Sequence, residues 1–275
     1  MQPALTAGLG LKPQHFDEAL HCDAPGLWFE VHPENYLVAG GPRLAWLEAI
    51  RDRHPLSMHG VSMSLASAQP PDPERLRALA KLIARFQPVL VSEHLAWSTW
   101  RGHYYPDLLP VPRNLATLHQ VTANIERMQD ALGRRIALEN PSHYVTMSHD
   151  FSETDFLAEL SKRTGCGLLV DVNNVYVSAH NIEQDAAHWI DAIPAHAVME
   201  IHLAGHQIDA AGALLVDSHD TAVAPAVWDL YHRLLARTGA IPTLIERDGD
   251  IPAFSALLTE RNRAHDMLTA PQEPA

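Results

Sequence analysis

The sequence predicts a single α/β domain folded as a (β/α)₈ TIM barrel, and three observations carry that prediction. Eight short apolar runs of strand length recur along the 275 residues. Segments with apolar residues at helical spacing separate them, which is the signature of βα units around a parallel sheet. No low-complexity linker or shift in composition divides the chain, so the repeats read as one barrel rather than two domains.

The strands are expected at 8–11, 27–31, 56–59, 89–94, 136–139, 168–172, 198–202 and 243–246. Each is a short, mainly apolar run, as a strand covered on both faces requires. Helices are expected near 42–53, 72–86, 113–132, 152–164, 183–193 and 224–238, with a last one near 252–266. Pro42 opens the first of these, and Asp72 with Pro73 opens the second as cap and first-turn proline. Ser152, Glu153 and Asp155 place a cap and acids in a first turn, next to the positive end of the helix dipole. Gly133, Gly165 and Gly239 fall where helices must stop before strands. The barrel is expected to occupy 1–269, with 270–275 as a proline-containing flexible tail.

Polar residues inside these apolar runs are the informative ones, because a barrel interior is packed and a charge there must be paired or bound to metal. His59, His94, Glu139, Asp171, His202 and Glu246 all stand at or next to the carboxyl ends of expected strands. That is the face on which barrels of this kind carry their active sites. Alone, any one of them reads as a hydrogen-bonded core residue; together, six strands ending in ligand-type side chains read as a metal centre. Ser92, Ala137, Leu169 and Leu244 share a face with the candidate two residues on, which places these candidates inward.

More donors follow in the connections. Asn173, Asn174 and His180 are expected in a loop after the sixth strand, and His206, Asp217 and His219 in a long loop after the seventh. The set is imidazole, carboxylate and amide with no sulfur, which suits Zn²⁺, Fe²⁺ or Mn²⁺ and excludes iron–sulfur sites. It is too large for one ion, so two or three bridged ions are expected. His15, His21, His54, His188, His196, His232 and His265 read as surface residues, and His103, His143 and His149 lack a carboxylate in register. Glu200 shares the inward face of His202, as a supporting carboxylate or as the partner of an arginine, with direct ligation the minority reading. Trp97, Trp100, Tyr104 and Tyr105 form either a substrate wall or the private core of a long loop.

Composition narrows the partners. Lys plus Arg number 20 against 33 Asp plus Glu, a formal charge of −13 with no basic run, so a nucleic-acid backbone would be repelled. Eighteen histidines against three lysines favour metal chemistry. Two cysteines far apart exclude a disulfide framework and a thiolate zinc cluster. No apolar run approaches a membrane span and the first ten residues lack an export pattern, so no membrane partner and a cytoplasmic location are expected.

The ordered motifs GLGL, FEVHPENY, MHGVSMSLAS, VSEHLAW, LENPSHY, LLVDVNNVYVSAHN, EIHLAGH, DSHD and LIERDGDIP span nearly the whole chain. With them the sequence resembles the multinuclear non-heme iron-dependent oxidative enzymes, the family of the methanobactin-biosynthesis B subunit and the bufferin-modifying enzymes. The resemblance implies a xylose-isomerase-like barrel with a three-metal arrangement like that of endonucleases of the endonuclease IV type. It implies His59 and His94 on one ion with Glu139 bridging, then Glu139, Asp171, His202 and Glu246 on a second. Asn173, His180, Asp217 and His219 would hold a third, His180 replacing the histidine that the endonuclease pattern places where Asn174 stands.

It further implies two to three iron ions, O₂ as co-substrate, and oxidation of cysteine residues in a ribosomally made precursor peptide. A small leader-binding partner protein and Asp248 as a proton-handling carboxylate belong to the same expectation. The alternative for Asp248 is a salt bridge with Arg247 or Arg101. A zinc phosphodiesterase and a sugar isomerase are the rival functions; the charge opposes the first, and the absence of a lysine at a strand end opposes the second.

Overall fold

Closure of the barrel follows chain order. The structure, a computed structural model, describes residues 5–101 and 103–270; all of the expected tail except Ala270 lies outside the described residues. β1 (Ala7–Gly10), β2 (Phe29–Val31), β3 (Leu56–Gly60) and β4 (Leu90–His94) come first. A hairpin of β5 (Trp97–Trp100) and β6 (His103–Leu109) follows, then β7 (Ala137–Glu139), β8 (Gly167–Asp171) and β9 (Val198–Leu203). A second hairpin, β10 (Gln207–Ile208) and β11 (Leu215–Val216), precedes β12 (Thr243–Ile245). β1, β2, β3, β4, β7, β8, β9 and β12 pair in parallel in that order, and β12 returns to β1. The chain is therefore a (β/α)₈ barrel, as the repeats predict.

The helices are α1 (Phe16–His21), α2 (Pro42–Arg51), α3 (Pro73–Phe86), α4 (Leu115–Leu132), α5 (Glu153–Thr164), α6 (Val172–Asn181), α7 (Ala186–Ala192), α8 (Pro225–Thr238) and α9 (Phe254–Thr269). Their starts carry the expected caps: Asp72 accepts from the Glu74 amide at 2.7 Å and Ser152 from the Asp155 amide at 3.1 Å. Gly133 and Gly165 end α4 and α5 in the left-handed region, φ 63° and 70°, which a residue with a Cβ rarely adopts. Arg261 of α9 is fully buried and latches the closing edge, donating from Nε to the Ala7 carbonyl at 2.7 Å and from Nη2 to the Pro25 carbonyl.

Four expectations need correction. The stretch after the sixth barrel strand is a helix, not a loop: Asp171 ends β8 and caps α6, accepting from the Asn174 amide at 2.6 Å. α1 was not expected. His15 and His54 are buried rather than on the surface, His15 bonding the Pro252 carbonyl at 2.9 Å. The aromatic group after β4 forms a hairpin with Trp97 and Tyr105 in edge contact; the side chain of Trp100 lies outside the described residues. Among the described residues, no helix is long and apolar enough to cross a membrane.

Candidate metal centre

Three strands converge on the first group. His59 stands next to last in β3, and His94 and Glu139 end β4 and β7. His94 is in register with Glu139 on neighbouring strands. His59 Nε2 and His94 Nε2 lie 3.0 and 3.1 Å from Glu139 Oε2, and 3.3 Å from each other. Donors spaced about 2.0–2.1 Å from a shared ion stand roughly 3.0–3.4 Å apart, so these separations fit an ion between them. The far side of each ring fixes its orientation: His94 Nδ1 lies 3.0 Å from the Gly60 carbonyl and His59 Nδ1 2.8 Å from the Ser92 hydroxyl. A carbonyl only accepts, so Nδ1 of His94 carries the proton and Nε2 is left bare as a ligand.

Without a cation the group is a dense ion pair. Burial opposes charge on His59, but Glu139 outweighs it and pushes the imidazole up to about 10. Burial would raise Glu139, yet His94 and His59 pull it down to about 2. Glu139 Oε2 still makes no hydrogen bond despite being buried, nor do Asp171 Oδ2 and His219 Nε2. Orphaned donors of this kind, all imidazole or carboxylate, fit hard or borderline divalent ions.

The second group shares Glu139. Ligand atoms of Glu139, Asp171 and His202 lie within 4.8 Å of one another, as do those of Asp171, His219 and Glu246. His202 Nδ1 and His219 Nδ1 stand 3.1 and 3.3 Å from Glu246 Oε2, which lies one residue past β12. Burial first, then Asp217 and Glu139, raise Asp171 well above the ordinary carboxylate range. His219 reaches the group from a left-handed backbone, φ 48°, and its Nε2 is 2.7 Å from Asp217 Oδ1.

Asn173 lies beside these, donating to Asp217 Oδ1 at 2.8 Å. Its Oδ1 meets His206 Nδ1 at 2.7 Å, a contact the resemblance does not imply. His180 sits in the last turn of α6 and lines a separate cavity of about 550 Å³ with Gln184, Asp229 and Arg233. Among the described residues it joins none of the ligand groups.

Asp248 stands at the mouth. Its Oδ1 is 2.6 Å from Lys12 Nζ, so the salt bridge is with Lys12, while Arg247 pairs with Glu260 at 3.0 Å. No lysine was expected at a strand end, yet Lys12 follows β1 by two residues and reaches Asp248. His219 and His32 lie 3.8 Å from the two Asp248 oxygens. Against burial and the charge of Glu246, these partners hold its carboxyl well below the usual range. A cavity of about 340 Å³ opens here, with Tyr104 and Leu108 of β6 on one wall and Asp217 and His219 on the other.

Glu30 and His32 join the site without having been among the expected site residues. Glu30 of β2 is buried, with Oε1 3.3 Å from His202 Nε2. The signal was an acid in the middle of FEV, facing the barrel interior.

The chain has known relatives. The profile of the family described as RiPP precursor modification enzyme MbnB/TglH/ChrH matches residues 6–269. The chain belongs to that family. A UPF0276 protein of Caulobacter vibrioides is 60% identical over 275 residues, covering 98% of both chains. Among solved structures, a xylose isomerase-like TIM barrel protein from Mycobacterium smegmatis in complex with magnesium has a TM-score of 0.58 at 12% identity. It covers 98% of this chain and is covered for 97% of its own. Endonuclease IV from Thermus thermophilus aligns at TM-score 0.57 and 15% identity, over 96% of this chain and 98% of that one. At such identities these two show the fold alone, whereas the family match makes this chain a member of a group of enzymes that modify RiPP precursors.

Proposed function

We propose that the chain uses two to three iron ions and O₂ to oxidise cysteine residues in a ribosomally synthesised precursor peptide. The observation that carries this reading is the sulfur-free donor set, with bare histidine nitrogens and orphaned carboxylate oxygens converging at an open cavity, in a family of precursor-modifying enzymes. His59, His94 and Glu139 would hold one ion, and Glu139, Asp171, His202 and Glu246 a second. Asn173, Asp217 and His219 would hold the third, which is the least furnished because His180 stands apart. Iron bound there would supply an open coordination position for a cysteine thiolate and a path for electrons from the cysteine, which is oxidised, to O₂, which is reduced.

The protein's own groups do the rest. Tyr104 and Leu108 offer an apolar wall beside the donors, which orients an extended peptide and restricts water. Asp248, paired with Lys12 and 3.8 Å from His219, would be the proton-handling carboxylate at the mouth, and its depressed value means that it stays ionised and passes a proton on without keeping it. A small leader-binding partner would supply the docking surface for the rest of the precursor, and a reducing cytoplasm suits the free cysteines Cys22 and Cys166. Asp107, Asp217 and Asp248 around the cavity would repel a phosphate backbone, which counts against the phosphodiesterase reading.

The test is anaerobic purification, metal analysis, and incubation with a cysteine-containing precursor and O₂. Two to three iron atoms per chain and a mass change at cysteine are expected, and Cys→Ser in the precursor should abolish the change. Cys22→Ala with Cys166→Ala should leave turnover intact, since Cys166 is buried just before β8, at the opposite end of that strand from Asp171. Full activity with stoichiometric zinc, or equal oxidation of the serine peptide, would overturn the reading.

A further inference from the structure

Beneath the donors lies a second, buried polar group. Glu30 comes from β2, and Glu200 comes from β9 two residues before His202, on the same inward face. Glu30 is 4% exposed, and Glu200 and His202 are 0% exposed. Ser57 of β3 sits between the carboxylates, its hydroxyl 2.8 Å from Glu30 Oε2 and 3.4 Å from Glu200 Oε1. One hydroxyl proton serves only one of them at a time. The ion-pair partner of both is the same ring: His202 Nε2 lies 3.3 Å from Glu30 Oε1 and 3.8 Å from Glu200 Oε1.

Two acids in a dry barrel are costly unless they are paired and hydrogen-bonded, and here the pairing is incomplete. Both His202 Nε2 and Glu200 Oε2 are buried without a hydrogen-bond partner. The opposite nitrogen, Nδ1, faces Glu246 Oε2 at 3.1 Å, on the side of the metal donors. A histidine that gives one nitrogen to an ion carries its proton on the other, and that N–H needs an acceptor.

We infer that Glu30 and Glu200 are positioning residues: Glu30 accepts the Nε2–H of His202 and Glu200 backs it as a second negative charge, fixing the ring so that Nδ1 is presented to the ion. The inference rests on the metal-centre reading and adds to it two residues that touch no ion. Their negative charge also makes the imidazole a stronger electron donor, so the ion on His202 is bound more tightly than by an unsupported ring.

The experiment uses Co²⁺ as the probe and no peptide. Wild-type protein, Glu30→Gln, Glu200→Gln and the double variant are stripped of metal and titrated with Co²⁺ against a chelator, with visible absorption recorded. In the double variant one Co²⁺ should bind roughly 10–100-fold more weakly with a shifted absorption band, while another keeps its wild-type affinity. Metal-free melting should not fall, because Gln removes like charge without changing size. Unchanged affinity and spectrum, or a loss confined to metal-free melting, would overturn the inference. So would complete loss of one equivalent with the other ions' spectra unchanged, which would make the pair a ligand set in its own right. Wild-type protein that takes up no Co²⁺ would overturn the metal centre and this inference together. Normal Co²⁺ behaviour with no peptide oxidation would overturn the proposed reaction alone.

Discussion

Glu139 is a residue on which the centre should depend strongly, because its carboxylate joins the His59–His94 group to the Asp171–His202 group. Replacing it by Ala should release more metal than replacing Asn173, whose loss should weaken a single ion by roughly 10–100-fold. Metal content of the two variants after gel filtration checks this, and equal retention would argue against a bridge. Glu153 is a residue of another kind, supporting the fold away from the ions. It accepts from Trp189 Nε1 at 2.9 Å and meets His143 Nε2 at 2.8 Å. Burial would raise its carboxyl, but His143 and Arg113 hold it below the ordinary 4.5. A depressed value means that its stabilisation is complete above about pH 4.5 and is lost as pH falls through the lower, folded value. Glu153→Gln should therefore cost roughly 1.5–3 kcal/mol at neutral pH and flatten the acid limb, read by denaturant unfolding between pH 3 and 7. An unchanged acid limb would assign that limb to other carboxylates. Strand-end donors such as His59 and Glu139 were legible in the sequence only as a set, because one polar strand end reads as a hydrogen-bonded core residue while six of them together do not. Glu30 was not, since an acid inside a short alternating strand also fits a strand with one face in water.

Elements carry these side chains only as accurately as their neighbours allow, and the end of β3 shows how. A Cβ on Gly60 would stand 2.4 Å from Glu93 Oε2. Glu93 in turn accepts from the Met63 and His94 amides at 3.2 and 3.1 Å, and the Gly60 carbonyl meets the His94 ring. Gly60→Ala should thus push on the carboxylate that holds His94, costing about 1–3 kcal/mol and loosening the first ion. Melting and metal content together check it; a stable variant with full metal would show that Glu93 moves freely. The barrel strands and most helices were legible because buried strands read as aliphatic runs and caps read as local signals. α6 was not, because VNNVYVSAHN is rich in β-branched residues and asparagine, which favour other states. Tertiary burial of Val172, Val175 and Val177 and capping by Asp171 override that preference. His180 was misplaced for the same reason: a helix carries it to the outer cavity, where a loop was expected to bring it to the ions.

At the scale of the molecule, eight parallel strands gather acids that no sequence neighbour could balance. Glu30, Glu139, Asp171, Glu200, Asp217, Glu246 and Asp248 all crowd the mouth or the space beneath it, and Lys12, brought from β1's end, bonds only the outermost. That crowding was legible as a list of donors but not as an electrostatic problem, because Lys12 and Asp248 are 236 residues apart. The metal-free barrel holds the acids by charging its histidines: His202 and His219 are both raised well above the ordinary imidazole value, against burial, by the carboxylates around them. A divalent ion would do the same work without protonated rings, so binding and folding would be coupled. An ion at 100 times its dissociation constant should add about 2.7 kcal/mol. At about 2–4 °C per kcal/mol for chains of this size, that is a rise of roughly 5–11 °C in melting temperature. The gain should shrink as pH falls, because protons compete for the imidazole and carboxylate donors. Calorimetry of chelator-treated protein, with Fe²⁺ added back anaerobically at pH 7.5 and again at pH 5.5, measures both effects. A melting temperature indifferent to saturating metal at the higher pH would mean that the histidine–carboxylate pairs are the finished structure and not a site waiting for an ion.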